Sequence, residues 1–136
     1  MLRRSILLFI LAFPIMAIAG KPIENLVDIP VPVNVDGSQP SIDDVRTAVI
    51  AGCRTRGWTP VLGDGNTVIA SILVRSTHYA EVEISYTDLA YSITYKSSRE
   101  LDYDQKKQEI HRNYNKWISN LSESIQAEFG VRSEVY

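Results

Sequence analysis

The chain has 136 residues, 45% of them hydrophobic, and a formal charge of −2 at pH 7. That length suits one ordinary domain, and the mild acidity offers no electrostatic footprint for nucleic acid or an anionic membrane surface. A single cysteine, Cys53, excludes an intrachain disulfide, so packing has to hold the fold.

Arg3 and Arg4 precede an apolar run over residues 6–18, and Ala17-Ile18-Ala19 puts small residues where a signal peptidase reads before Gly20. The run is interrupted by Pro14 and is about thirteen residues long, against the roughly 20 needed to cross a bilayer. Residues 1–19 are therefore read as a secretory signal peptide cleaved after Ala19, in preference to a membrane anchor. No cysteine beside that position could take a lipid. The expected product is exported and periplasmic, has no stable membrane anchor, and carries a charge of about −4 once Arg3 and Arg4 are gone.

Residues 20–40 hold Pro22, Pro30, Pro32 and Pro40 among alternating apolar residues, which predicts an extended N-terminal arm or an edge strand, because proline cannot donate to a central ladder. Ser41 and Asp44 then cap a helix. Its apolar stripe is Ile42, Val45, Ala48, Val49, Gly52 and Cys53, and Arg54, Arg56 and Gly57 mark its end. The small side chains of that stripe suit a helix lying close on a sheet.

Trp58 opens a short extended run, with the core the favoured side for its ring, and Gly63-Asp64-Gly65-Asn66 returns the chain as a hairpin. Residues 66–98 then alternate with period two. Val68, Ala70, Ile72 and Val74 face inward, as do Ala80, Val82, Ile84 and Tyr86, followed by Tyr91, Ile93 and Tyr95. A two-residue loop at Asp88-Leu89 sets Tyr86 opposite Tyr91, Ile84 opposite Ile93 and Glu81 opposite Lys96.

Asp102 and Gln105 predict the start of a long helix. Its stripe of Ile110, Tyr114, Trp117, Ile118, Leu121 and Ile125 makes it the main cover of the sheet, with Trp117 buried and Gly130 as the stop. Residues 131–136 carry no pattern and form a C-terminal tail. The fold class is thus α+β: a four-stranded antiparallel meander with two helices on one face, residues 41–130 forming a single domain.

Chemical motifs are sparse. His78 and His111 could pair as metal ligands with Glu81 or Asp104, but their spacing matches no metal motif. Cys53 lies on an apolar helix face, as a small buried hydrophobe would. There is no phosphate loop and no nucleophile elbow, and the acids near the helix starts are explained by capping. The sequon at Asn120 falls within the predicted helix. No catalytic residue, cofactor or metal is expected. The tyrosines Tyr79, Tyr86, Tyr91, Tyr95, Tyr103 and Tyr114 either line the seam between sheet and helix or form an aromatic groove.

One resemblance runs through most of the mature chain. Arg56-Gly57-Trp58, Arg75 and His78, the Ala80 to Tyr86 alternation, Ser92-Ile93-x-Tyr95, Ser98 with Leu101 and Tyr103, and Ile110-His111-x-x-Tyr114-Asn115-x-Trp117 carry it. These resemble a family of small uncharacterised exported proteins and lipoproteins of Gram-negative bacteria. The resemblance implies an envelope location and a helix-plus-meander domain, and it implies no activity.

The expectation is a periplasmic, non-enzymatic binding or accessory module that contacts another envelope protein or peptide. The alternative is a small-ligand-binding protein with a tyrosine-lined groove. The candidate partner surface is the outer sheet face at Ile69, Leu73, Arg75, Tyr79 and Glu81, unless the proline-bearing arm folds across it.

Overall fold

The computed structural model describes residues 20–133. The signal peptide expected over residues 1–19 lies outside the described residues. Two helices cover one face of a five-stranded antiparallel sheet, and a small two-stranded ribbon closes one end.

Helix α1 (Ile42–Thr55) begins at a complete capping box: the Ser41 side chain accepts from the Asp44 N–H, and the Asp44 carboxylate accepts from the Ser41 N–H. It ends at Gly57, whose φ of +83° suits glycine. There the Gly57 N–H donates to the Arg54 carbonyl and the Trp58 N–H to the Cys53 carbonyl, a Schellman motif that also turns Trp58 into the core at 2% exposure.

The chain continues through β3 (Thr59–Leu62), β4 (Thr67–Val74), β5 (His78–Tyr86) and β6 (Ala90–Arg99), the predicted meander. Val68, Ala70, Ala80, Val82, Ile84, Tyr91 and Ile93 are buried beneath the helices, as their alternation requires. The sheet has five strands instead of four, because the N-terminal arm adds β2 (Leu26–Pro30) beside β6. Pro30 is tolerated there because β2 is an edge. The order is therefore β2-β6-β5-β4-β3, which leaves the arm at the opposite edge from β3 and away from the outer face of β4.

Tyr86 faces Tyr91 and Ile84 faces Ile93 as expected. Glu81 does not face Lys96. A bulge between Glu81 and Val82 pairs Val82 with Tyr95 and Glu81 with Ser97, so that Lys96 is the extra residue. That slip also sets Arg99 opposite Tyr79.

The greatest departure lies between β6 and the long helix. Asp102 and Gln105 do not start a helix. The Asp104 carboxylate accepts from the Lys106 and Lys107 N–H groups, a local turn that competes with helix nucleation. The chain doubles back through an Asp104–Glu109 bridge into β7 (Glu109–Ile110), which pairs with β1 (Lys21–Pro22). The Asn115 side chain bonds the Pro22 carbonyl and the Glu24 N–H, fastening the arm to the long helix.

Helix α2 (Asn113–Ser133) therefore starts late, and it runs past Gly130. An interior glycine costs about 1 kcal/mol relative to alanine and does not by itself end a helix; Phe129, in the same turn, is buried. The buried line of α2 is Tyr114, Ile118, Leu121 and Ile125. Trp117 falls beside that line and is only partly buried, a correction to its expected core position.

Of the six tyrosines singled out in the sequence, all but Tyr79 pack into or against the core at the seam. Tyr86, Tyr91 and Tyr114 are buried, Tyr95 stacks on Tyr103 at 4.5 Å, and Tyr114 meets Tyr95 edge-on at 5.8 Å. The Tyr91 hydroxyl is held by Ser122 Oγ at 2.7 Å and by the Gln126 amide at 3.0 Å.

Candidate functional site

The outer face of the sheet carries four of the five residues singled out in the sequence. Cross-strand register puts Leu73 opposite Tyr79 and Tyr79 opposite Arg99, forming one row across β4, β5 and β6. Ile69 pairs with Glu83 in β5 and with Val61 in β3, and Ser71 pairs with Glu81. Leu73 and Val61 are 58% and 62% exposed, which shows that neither the arm nor any other described element covers this face.

Tyr79 is fixed in place on that face. Its hydroxyl donates to the Glu81 carboxylate at 2.7 Å, and the Arg99 guanidinium lies 4.2 Å from its ring centroid. The Glu81 carboxylate, by accepting a hydrogen bond from the protonated form, holds the Tyr79 hydroxyl above its ordinary range, partly offset by Ser71 and Arg99. Next to this row a shallow depression of about 290 Å³ is lined by Ile69, Glu83 and Lys96 and by the β3–β4 hairpin.

The β3 edge is blunted. The Gly63 N–H donates to the Thr67 carbonyl, so by alternation the bonded pairs are Gly63–Thr67, Val61–Ile69 and Thr59–Ser71. Pro60 occupies the intervening position, where its nitrogen faces the open edge and offers no donor to an added strand.

Arg75, the fifth residue, belongs elsewhere. It and Ser76 form the tip of the β4–β5 turn with φ values of +53° and +60°, a left-handed pair for which Asn and Gly are the favoured residues. The turn places Arg75 at the mouth of a pocket of about 200 Å³ between the β4–β5 turn and the start of α2. His78, His111 and Asn113 supply its other polar groups, and Val74, Leu101 and Trp117 its apolar wall.

The two histidines, far apart in sequence, do meet here, with ring centroids 6.4 Å apart. The chain reverses through Glu100 and Asp102, both left-handed, and the Glu100 carbonyl lies 2.8 Å from His78 Nδ1. On the other side His111 Nδ1 accepts the Asn113 N–H at 3.2 Å and caps the start of α2.

The acids considered as their metal partners are not present. Glu81 is on the outer face, engaged by Tyr79, and Asp104 is committed to its own turn. Among the described residues no group of three or more His, Cys, Asp or Glu is placed to hold a metal ion. Cys53 is shut into the core, and burial pushes its thiol from 9.0 to about 12. The pocket was hidden in the sequence because it depends on the late start of α2.

Comparisons with protein-family models, with curated proteins and with solved structures find no match to the chain. Among the described residues no helix is long and apolar enough to cross a membrane.

Proposed function

We propose that the protein is a binding or accessory module of the bacterial cell envelope that seats a partner protein or peptide on its outer sheet face. The observation carrying this reading is the row Leu73–Tyr79–Arg99, an apolar, aromatic and cationic group held in fixed geometry and left uncovered by the described chain. Aromatic and Arg side chains with restricted rotamers lose little entropy on docking and dominate binding energy at interfaces. Glu81, Glu83 and Lys96 supply a charged rim of the kind that surrounds an apolar contact centre. The blunted β3 edge favours docking on the face over strand addition at that edge.

Binding is preferred to catalysis because the one thiol is buried and protonated, and a backbone carbonyl, not a carboxylate, stands behind His78. A periplasmic setting rests on the Arg3-Arg4 and Ala17-Ile18-Ala19 pattern.

A photo-crosslinking residue at position 73, expressed in the native host, tests the reading. One discrete crosslinked envelope protein is expected from position 73 and none from position 35, a still more exposed site in the arm loop. Identical adducts from both positions, or none from either, would overturn it. Mass spectrometry of the exported protein should find Gly20 as its first residue; an intact Met1 would remove the envelope assignment.

A further inference from the structure

The pocket beside the start of α2 has a donor and acceptor pattern that the outer face lacks. A backbone carbonyl can only accept, so the Glu100 contact fixes a proton on His78 Nδ1 and leaves the lone pair of the neutral ring on Nε2. A backbone N–H can only donate, so the Asn113 contact fixes His111 Nδ1 as an acceptor and puts the ring proton on Nε2. The stacked rings thus offer one acceptor and one donor.

That pairing disfavours a metal ion, which would want lone pairs on both Nε2 atoms and a third ligand that the described residues do not supply. It suits a ligand that both accepts and donates hydrogen bonds, and the charge of the pocket narrows the class further. No carboxylate lines the pocket, and among the described residues the Arg75 guanidinium has neither an ion pair nor a hydrogen bond. One guanidinium, with no second cation in the lining, balances a single negative charge, and its planar fork with the imidazole N–H matches a monoanionic carboxylate. On the other side Trp117, Val74 and Leu101 form an apolar wall.

We infer that this pocket binds a small carboxylate carried on an apolar body, with its oxygens on the Arg75 guanidinium and His111 Nε2–H and its body against Trp117. Asn113 contributes its side-chain amide to the polar end. His78 Nε2 takes a donor from the ligand, such as a neighbouring hydroxyl or amide N–H. Left-handed backbone at Arg75 and Ser76 shapes the turn that brings Arg75 into the pocket lining. The carboxylate could belong to a free acid or to the C-terminus of a peptide chain.

Benzoate is the first probe and benzamide, equal in shape but neutral, its control. The chain has two histidines, so their ring C–H signals in a proton–carbon NMR titration report on the pocket directly. Benzoate should shift both rings saturably, and benzamide should not. Arg75→Asn, chosen because asparagine accepts left-handed backbone, should weaken benzoate binding about tenfold or more, the usual scale for a lost charge-assisted hydrogen bond, with melting unchanged. Threonine at Ile69 and Leu73 should leave benzoate binding intact, which separates this site from the outer face. A tripeptide with a free C-terminus that binds more tightly than both benzoate and its own amidated form assigns the carboxylate to a chain end; tighter benzoate assigns it to a free acid. Equal binding of benzoate and benzamide, benzoate binding that survives Arg75→Asn, or a zinc ion retained through both histidines would each overturn the assignment.

Discussion

Gly52 of α1 lies so close to Ile125 of α2 that a Cβ on Gly52 would sit 2.7 Å from the Ile125 Cα. The obstructing atom is backbone, so no rotamer change relieves it and the helices would have to separate. This one glycine sets the spacing at which Val49, Cys53, Leu121 and Ile125 share the core.

Gly52→Ala should therefore destabilise the protein by about 1–3 kcal/mol, the usual cost of overpacking, although alanine gains roughly 1 kcal/mol of helix propensity over glycine. Chemical denaturation with an unchanged m-value measures it. A raised midpoint would mean that the helices slide apart freely.

The parts of the fold that could be read from the sequence are those set by local periodicity. Alternation from Val68 to Ile93 fixed which residues are buried, and Ser41, Asp44 and Gly57 marked both ends of α1. The failures share a physical cause, namely competition that only the tertiary structure decides. The segment from Asp102 to Gln105 can start a helix at an Asp102 cap or turn back on the Asp104 carboxylate, and pairing of β1 with β7 favours the turn. Lys96 could face Glu81 until the bulge makes it the spare residue. Of the candidate surface, Ile69, Leu73, Tyr79 and Glu81 were legible from parity alone. The position of Arg75, and its meeting with His78 and His111, required the turn geometry and the late start of α2.

The two tryptophans should behave differently. Trp58 is 2% exposed beneath the Schellman turn, and truncation at such a site typically costs about 3–5 kcal/mol. Trp117 is partly buried at the pocket wall and should lose distinctly less. Melting curves of Trp58→Ala and Trp117→Ala rank them, and the reverse order would place Trp117 in the core after all.

Tyr114 is 1% exposed, and among the described residues its hydroxyl finds no hydrogen-bond partner. An unsatisfied buried polar group costs about 1–3 kcal/mol. Tyr114→Phe keeps the ring contact with Tyr95 and removes that group, so stability should hold or rise. A loss of more than about 1 kcal/mol would reveal an ordered water or another partner at the hydroxyl.

Alkali should unfold the protein through two buried acids. The Cys53 thiol keeps its proton up to about pH 12 when folded and releases it near its ordinary 9.0 when unfolded, because burial penalises the thiolate. Burial raises the Tyr114 hydroxyl in the same direction from 10.0. Both contributions are complete below pH 9, and they are lost as pH climbs because the unfolded chain sheds protons that the folded chain retains. Stability measured by denaturant should thus decline from pH 9 upward, and the double variant Cys53→Ala, Tyr114→Phe should flatten that decline. An equally steep decline in the double variant would assign the alkaline loss to other groups.

The outer face can be altered without touching the core, and this makes the proposed partner surface separable from stability. Leu73 is 58% exposed, and exposed substitutions usually change stability by within about 0.5 kcal/mol. Threonine keeps strand propensity while removing the apolar surface. Leu73→Thr should melt with wild type, and adding Ile69→Thr, partly buried beside Glu83, should cost only a little more. Arg99→Gln removes the cation above Tyr79 and should also leave the fold intact. If the row Leu73–Tyr79–Arg99 seats a partner, each of these changes should weaken its capture by the purified domain, and Val35→Thr in the exposed arm loop should not. Weakened capture with unchanged melting identifies a contact face. Lost stability in Leu73→Thr would instead mean that a second copy of the chain already covers it in solution, which sedimentation of the wild type would show as a dimer.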